Sequence, residues 1–329
     1  MRIYSTARLQ HIMPLTWLIL IGASRPEAPS TQPVHGGSRM IRSEHLVLEV
    51  MDPAAPDRYH TGVRFTPLAA VISVQCDGRE FLFHKPNPDP AKDVAGLFAE
   101  FDIHTDPPGF ADAPVGGTFV KVGVGRLIKT EVEYKFYTQH PVQKLAQTVT
   151  KWSDDTVTSI QTLPTADGLG YTLQSDLKVH DRTLTIDWTL TNTGTKPFTT
   201  QQYHHNCFSF VGRPIAPGYT LTLPFDFTAV GLRGSVRQTG REINFTDPIK
   251  KPLNVKIDYP ADYAGPNTVV VRDAATHMSV TTETSEKGSG FVAHVADIYL
   301  CPEQFIDITV QPGETKSWRR TYTFEAPPS

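Results

Sequence analysis

The feature that most constrains the fold is a regular alternation of apolar and polar residues. In TLTIDWTLTN (183–192) every second residue up to position 190 is Leu, Ile or Trp, and the residues between them are Thr and Asp. HLVLEV (45–50) and FIDITVQ (305–311) alternate in a similar way. Because successive side chains of a β-strand point to opposite faces, this period predicts strands with one buried face and one wetter face.

Turn signals separate these segments and complete an all-β prediction. Asp-Gly pairs occur at 77–78 and 167–168, and a Pro-Gly pair occurs at 312–313. Such pairs favour tight turns between strands. After residue 40 no segment has a convincing amphipathic helical period. We therefore predict one large antiparallel β-sandwich over residues 40–329 rather than two domains.

The first 39 residues have a different composition from the rest of the chain. Residues 1–12 are basic, and residues 13–23 (MPLTWLILIGA) form an apolar run that ends in small residues. A helix that spans a bilayer takes about 20 apolar residues, so we expect no membrane span. We interpret residues 1–39 as a signal peptide or disordered extension plus a Pro-, Ser- and Gly-rich linker. A signal peptide over residues 1–24 would make the protein periplasmic or secreted; without one it would be cytoplasmic.

Charge and cysteine content exclude several functional classes. The chain has 31 Lys and Arg against 34 Asp and Glu, and no segment concentrates basic residues, so we expect no nucleic-acid partner. The three cysteines, Cys76, Cys207 and Cys301, are too few for a closed thiolate zinc site or a disulfide scaffold. Phosphate-loop, dinucleotide and G-x-S-x-G motifs are absent, which argues against cofactor-dependent classes. The oligomeric state stays open.

Two segments combine residues that can carry chemistry. QQYHHNCFSF (201–210) has adjacent histidines in an aromatic-rich strand. On a strand His205 shares a face with Tyr203 and Cys207, whereas His204 lies on the other face, so only one of the two can face a given cleft. LCPEQF (300–305) places Glu303 at the beginning of an alternating strand.

Taken in order, these segments resemble the aldose 1-epimerase, or galactose mutarotase-like, family. YHHNCF (203–208) is similar to the motif that carries the family's catalytic histidine, with His205 in that position. LCPEQF resembles the motif of the catalytic glutamate, with Glu303 in that position, and a closing P-G-E turn and aromatic strand (312–324) add to the likeness. The resemblance covers about residues 60–324. It implies a divergent member with a twisted antiparallel β-supersandwich and a carbohydrate cleft.

The resemblance also implies an isomerase that interconverts the α and β anomers of a hexose or a related sugar. Glu303 would take the proton of the C1 hydroxyl as a base, and His205 would donate a proton to the ring oxygen. The substrate would be a monosaccharide or oligosaccharide, and no metal or cofactor is expected. The substrate-binding residues would be Arg64, Glu100, Tyr203 and His204, with Asp102 as a further carboxylate on the face of Glu100.

Departures from the family pattern leave other functions open. Many members have a second histidine in an upstream H-G-G type loop, but Gly116 and Gly117 have no adjoining histidine here, and the nearest is His104. No Asn precedes Arg64. A non-catalytic carbohydrate-binding protein would need the cleft without the acid–base pair. A polysaccharide lyase or another glycoside-processing enzyme on the same fold would use a base such as Tyr203 beside Arg64.

The cysteines suggest a further hypothesis. If His205 and Glu303 converge, Cys207 and Cys301 lie in one side-chain layer. They are then either a disulfide, as in an exported protein, or two buried free thiols. We favour the free thiols, because Pro302 is expected to break the alternation between residues 301 and 303.

A metal site is the least favoured hypothesis. It would use His204, His205, Cys207 and Cys301. Because His204 points away from the others on a strand, at most three of the four donors can converge.

Overall fold

Antiparallel β-strands make up almost all of the regular structure. The structure is a computed structural model that describes residue 33 and residues 35–85, 87–93 and 95–327. Within these ranges a single turn of 3-10 helix, Phe210–Gly212, is the helical element, and no helix is long and apolar enough to cross a membrane. The strands form three sheets. The all-β prediction is confirmed.

The first sheet has nine strands and brings together the segments that carry the candidate residues. Its order is β1 (Ser38–Arg42), β2 (Leu46–Met51), β3 (Val71–Cys76), β5 (Leu97–Phe101), β13 (Phe198–Asn206), β21 (Leu300–Val310), β20 (Gly290–Val295) and β17 (Leu253–Ile257), with β4 (Arg79–Glu80) beside β3. Strands β13 and β21 are therefore neighbours in the interior of this sheet, although about 100 residues separate them along the chain.

The second sheet has ten strands and packs against the first. Its order is β15 (Val236–Thr239), β16 (Glu242–Phe245), β14 (Tyr219–Thr222), β18 (Thr268–Asp273), β19 (Met278–Thr284), β22 (Thr315–Glu325), β12 (Thr183–Asn192), β11 (Leu169–His180), β10 (Thr156–Ala166) and β9 (Gln147–Trp152). A small third sheet consists of β6 (Thr118–Lys121), β7 (Gly125–Ile128) and β8 (Val142–Leu145).

The main core lies between the two large sheets. The alternation in β12 has the predicted consequence, because Leu184, Ile186, Trp188 and Leu190 are all fully buried. The ring of Trp188 packs edge-on against Phe101 of the first sheet, with ring centroids 6.5 Å apart. One continuous apolar cluster joins the two sheets, as expected for a single sandwich.

Two Asp-Gly pairs form tight hairpin turns, as the sequence predicts. Asp77 and Gly78 connect β3 to β4 with φ angles of 48° and 75°. Asp167 and Gly168 connect β10 to β11 with φ angles of 55° and 82°. Positive φ at both central positions matches the right-handed twist of the strands, and Asp and Gly tolerate it.

The folded part of the chain includes residues before the predicted boundary at residue 40. Strand β1 starts at Ser38, and His35 is buried. The backbone N–H of His35 donates to Glu49 Oε1 at 2.7 Å, and the Ser38 hydroxyl donates to the same oxygen. A buried carboxylate requires such partners, so part of the predicted linker packs despite its polar composition. The predicted signal peptide lies outside the described residues.

Candidate active site

The register of β13 against β21 places the candidate residues opposite each other. Gln202 pairs with Ile306, and Phe208 pairs with Leu300. Each strand has five residues between these two pairs, which is consistent with His205 opposite Glu303 and Cys207 opposite Cys301. The side-chain contacts of both pairs agree with this placement.

Pro302 lies on β21 in the stretch where the backbone ladder to β13 is interrupted, between the pair Gln202–Ile306 and the isolated bridge Phe208–Leu300. Proline has no N–H to donate to the ladder and is normally restricted to edge strands or bulges. Here the side-chain amide of Asn206 donates to the Pro302 carbonyl at 2.8 Å. The expected break in alternation does not occur, since Cys301 and Glu303 both reach side chains on the His205 face of β13.

His205 and Glu303 form a close pair near the surface of the first sheet. His205 Nε2 lies 3.5 Å from Glu303 Oε1. The two residues are 7% and 5% exposed, so each keeps a small surface accessible to solvent. Burial raises the pKa of Glu303 to about 7, even though the nearby His205 and Arg64 oppose this shift.

The other ring nitrogen of His205 contacts a sulfur. His205 Nδ1 lies 3.1 Å from Cys207 Sγ, and the Cys301 thiol donates to Cys207 across 3.4 Å. Burial disfavours a charged imidazole, but Cys207 and Glu303 outweigh it, so the pKa of His205 is raised. Burial likewise opposes a Cys207 thiolate, but the contacts with Cys301 and His205 lower the pKa of Cys207 to about 5.

Arg64, Glu100 and Tyr203 form a second polar cluster beside this pair. Arg64 Nε donates to Glu100 Oε2 at 2.9 Å, and its Nη2 donates to the Tyr203 hydroxyl at 3.3 Å. The Tyr203 hydroxyl in turn donates to Glu100. The guanidinium lies between the rings of Phe65 and Phe136, at 4.5 and 4.6 Å from their centroids. These contacts fix the orientation of Arg64 while its side chain stays 19% exposed.

The structure does not bring His204 to this cluster, which corrects its predicted substrate-binding role. His204 is fully buried between the two large sheets. Its Nδ1 lies 3.0 Å from the Tyr322 hydroxyl, and its ring packs against Trp188. Burial, with a smaller effect of Arg320, keeps the pKa of His204 well below its usual value. The physical reason is alternation, which sends adjacent residues of β13 to opposite sides of the sheet.

Asp102 also differs from its predicted placement beside Glu100. Strand β5 ends at Phe101, and Asp102 adopts a φ of 55°. Its carboxylate accepts hydrogen bonds from the Thr200 hydroxyl at 2.8 Å and the Gln201 N–H at 3.0 Å. Burial raises its pKa to about 6, and nearby Lys121 opposes this shift. Asp102 thus stabilises the strand end and does not continue the face that carries Glu100.

His294 belongs to the site but escaped the sequence analysis. It lies on β20, directly beside β21, and its ring centroid is 6.1 Å from that of His205. Burial lowers its pKa to about 4, so the imidazole is neutral, and its Nδ1 lies 2.7 Å from Asn254 Oδ1. His104, the nearest histidine to the incomplete upstream loop motif, packs against Phe305 with ring centroids 4.7 Å apart. The sequence alone could not place either histidine beside these residues, because their proximity depends on the order of the strands in the sheet.

Three of the four side chains of the metal hypothesis converge. Donor atoms of His205, Cys207 and Cys301 lie within 4.8 Å of one another, whereas His204 points to the core. These three could hold a metal ion, but a closed tetrahedral zinc site uses four ligands. The arrangement is better described by its proton chemistry. Two titratable groups with shifted pKa values stand beside a fixed guanidinium, so a proton can be taken at one atom and donated at another.

No family model matches the sequence, and no curated protein matches it. Solved structures do match the fold. An aldose epimerase homologue from C. elegans is 14% identical with a TM-score of 0.56, over 88% of this chain and 99% of that one. A galactose mutarotase related enzyme from Lactobacillus acidophilus is 9% identical with a TM-score of 0.55, over 88% of this chain and 97% of that one.

A galactose mutarotase-like protein from Clostridium acetobutylicum is similar to the same extent. It is 13% identical with a TM-score of 0.54, over 88% of this chain and 95% of that one. Identities this low establish the fold and not the activity. The chain therefore has the galactose mutarotase-like sandwich fold, and the resemblance noted in the sequence is confirmed at that level for a divergent sequence.

Proposed function

We propose that the protein is an aldose 1-epimerase that interconverts the α and β anomers of a hexose or a related sugar. The observation that carries this proposal is the contact between His205 Nε2 and Glu303 Oε1, 3.5 Å apart, in which both residues keep a small exposed surface. Opening a pyranose requires a base for the C1 hydroxyl and an acid for the ring oxygen. Both oxygens are bonded to the same carbon, so an acid and a base on neighbouring strands can reach them together.

The proton transfers then follow from the two side chains. Glu303, as a carboxylate, takes the proton of the C1 hydroxyl while protonated His205 donates from Nε2 to the ring oxygen, and the C1–ring oxygen bond breaks. The free aldehyde rotates about C1–C2. The ring recloses on the other carbonyl face, with His205 now the base and Glu303 the acid. Each group ends the cycle in its starting protonation state.

The neighbouring cluster would orient the sugar. Arg64 is held by Glu100 and Tyr203 and presents a fixed guanidinium edge, which suits hydrogen bonding to sugar hydroxyls. The ring of Phe305, itself only 2% exposed, packs at a tilt against Tyr203 with centroids 4.8 Å apart and so helps to hold Tyr203 in place. Neutral His294 adds a hydrogen-bonding ring on the other side of His205.

The lyase alternative finds less support in this cluster. A lyase of this type would need an ionised tyrosine as its base. Burial and the adjacent Glu100 raise the pKa of Tyr203 well above its usual value, and its hydroxyl proton is engaged by Glu100. Tyr203 is therefore suited to donating a hydrogen bond rather than to abstracting a proton.

Polarimetry on freshly dissolved α-glucose and α-galactose tests the proposal. We expect the wild-type protein to accelerate mutarotation and Glu303→Gln to lose about 10²–10⁴ of that acceleration, because glutamine keeps the shape and removes the basicity. Glu283→Gln, which changes an exposed glutamate on β19, is the matched control and should keep the wild-type rate.

Other results would favour the alternative functions. Sugar binding by calorimetry without any rate acceleration would identify a carbohydrate-binding protein. Formation of an unsaturated uronate from an acidic polysaccharide, measured by absorbance, would identify a lyase. A Glu303→Gln variant with the wild-type mutarotation rate would rule out the assignment of the base.

A further inference from the structure

Two thiols that the proposed reaction does not use face each other across β13 and β21. Phe208 and Leu300 exchange two backbone hydrogen bonds, at 3.0 and 3.1 Å. Cys207 and Cys301 each lie next to this bridge along their strands, which brings their side chains together. The two sulfur atoms lie 3.4 Å apart.

The two sulfurs differ in their surroundings. His205 Nδ1 lies 3.1 Å from Cys207 Sγ, and the Cys301 thiol also points at this sulfur. These two contacts favour a thiolate at Cys207. Burial and the neighbouring Cys207 raise the pKa of Cys301 well above its usual value, so Cys301 stays a thiol. A thiolate beside a second thiol is the arrangement of a cysteine with a resolving partner.

We propose that Cys207 and Cys301 form an oxidation site at which hydrogen peroxide converts the two thiols to a disulfide. The Cys207 thiolate attacks one peroxide oxygen, the O–O bond breaks, and hydroxide leaves, so that Cys207 becomes a sulfenic acid. The Cys301 sulfur then attacks the Cys207 sulfur, the S–O bond breaks, and water leaves. In total two thiols lose two electrons and two protons, and one peroxide becomes two waters.

Access to the site selects a small oxidant. Cys207 and Cys301 are only 1% and 0% exposed. A bulky disulfide such as oxidised glutathione cannot reach either sulfur in the folded protein. His205 lies against Cys207 and keeps a small exposed surface beside Glu303, so a small oxidant can approach from the side of this pair.

Cys76 provides an internal control in the same chain. It is equally buried, on β3, but its sulfur contacts Arg182 at 3.5 Å and no second sulfur. Burial raises its pKa to about 11. Cys76 has neither a thiolate nor a resolving partner, so it should resist peroxide under conditions that oxidise the other two cysteines.

The test uses the full chain, reduced and then freed of reductant, with a chelator present. After a small excess of hydrogen peroxide, we expect the denatured protein to show one of its three thiols, and its mass to fall by two hydrogens. Peptide mapping should join the peptides of Cys207 and Cys301 and find Cys76 reduced. Dithiothreitol should restore all three thiols. A Cys76→Ser variant should lose its two remaining thiols at the same rate.

The Cys301→Ser variant separates the two chemical steps. Without the resolving thiol, Cys207 should gain one oxygen and form no cross-link within the chain. The wild-type peptide map decides the proposal even if this variant does not fold. Three persistent thiols in the wild-type protein, oxidation of Cys76 as fast as Cys207, or oxygen addition without a cross-link would each overturn it. None of these readouts depends on mutarotation, so they test the oxidation site independently of the proposed function.

Discussion

The two faces of β13 place adjacent histidines in opposite chemical environments. On one face, His205 contacts Glu303 and Cys207, and its pKa is raised. On the other face, His204 packs against Trp188 and Tyr322, and its pKa is held well below the usual value. Both residues are largely removed from water.

The comparison shows that burial alone does not decide the charge of a histidine. Burial disfavours the imidazolium on both faces. Only on the His205 face do acidic neighbours outweigh it, because a carboxylate and a sulfur lie within 3.5 and 3.1 Å of the two ring nitrogens. The His204 face offers a hydroxyl at 3.0 Å and a nearby Arg320 instead. One face can therefore exchange protons near pH 7, and the other serves packing.

The largest expected effect comes from removing each imidazole in turn. We expect His205→Ala to lose about 10²–10⁴ of the mutarotation rate, since the proton donor to the ring oxygen is gone. His204→Ala should keep a measurable fraction of the rate per folded molecule, because His204 does not contact the site. Polarimetry measures the mutarotation rate of both variants, and circular dichroism shows whether each variant is folded. The reverse result would assign the acid to the core face and contradict the geometry.

The pH dependence of the mutarotation rate tests the proton exchange that we assign to the His205 face of β13. Glu303 must be ionised to act as the base, and its pKa is raised to about 7. At pH 5 about one carboxyl in a hundred is ionised, so we expect a rate about 100-fold below the maximum. The rate should fall again at high pH, where His205 loses its proton. Because the two groups interact, the two apparent pKa values belong to the pair.

Buffer-catalysed mutarotation is the background in this measurement and is subtracted at each pH. In Glu303→Gln the acid-side fall should vanish together with most of the rate. A wild-type profile that is flat from pH 5 to pH 8 would contradict an acid–base role for this pair.

Local patterns in the sequence were sufficient for the fold and for part of the site. Alternation predicted the strands and the opposite orientations of His204 and His205, and the Asp-Gly pairs predicted two of the turns. The motif resemblance brought His205 and Glu303 together as candidates. Their contact depends on the register of two strands about 100 residues apart, which no local pattern encodes.

The incorrect predictions have related causes. Strand β5 ends one residue before Asp102, so that carboxylate turns away from the Glu100 face. His204 was assigned to the site although alternation separates its side chain from that of His205. His294 was missed because its proximity comes from the order of β20 beside β21. The end of a strand and the order of strands are not set by local alternation, and the Asp102 error and the His294 omission arise there. The His204 error instead neglects alternation itself.

The smallest expected effect is on stability, and it reverses the ranking of the two histidines. His204→Ala leaves a cavity in the core and removes a hydrogen-bond partner of Tyr322, so it should cost about 2–4 kcal/mol in the free energy of unfolding. His205→Ala should cost less, about 1 kcal/mol, because His205 keeps a small exposed surface and because Glu303 and Cys207 can hold protons once the imidazole is gone. Urea unfolding at pH 7 compares the two variants.

The pH dependence of the free energy of unfolding below pH 7 also distinguishes His204, on the core face, from His205. In the unfolded chain His204 binds a proton below about pH 6.5, but in the folded protein it stays neutral to much lower pH. Below pH 6.5 the unfolded state therefore gains protons at this position and the folded state does not, so stability falls as the pH is lowered. His204→Ala lacks this contribution, and its stability should fall less steeply than that of the wild type between pH 6.5 and 5. The two faces of β13 would not differ in this way if the stability of His204→Ala fell with pH as steeply as that of the wild type. Equal losses of unfolding free energy in His204→Ala and His205→Ala at pH 7 would have the same meaning.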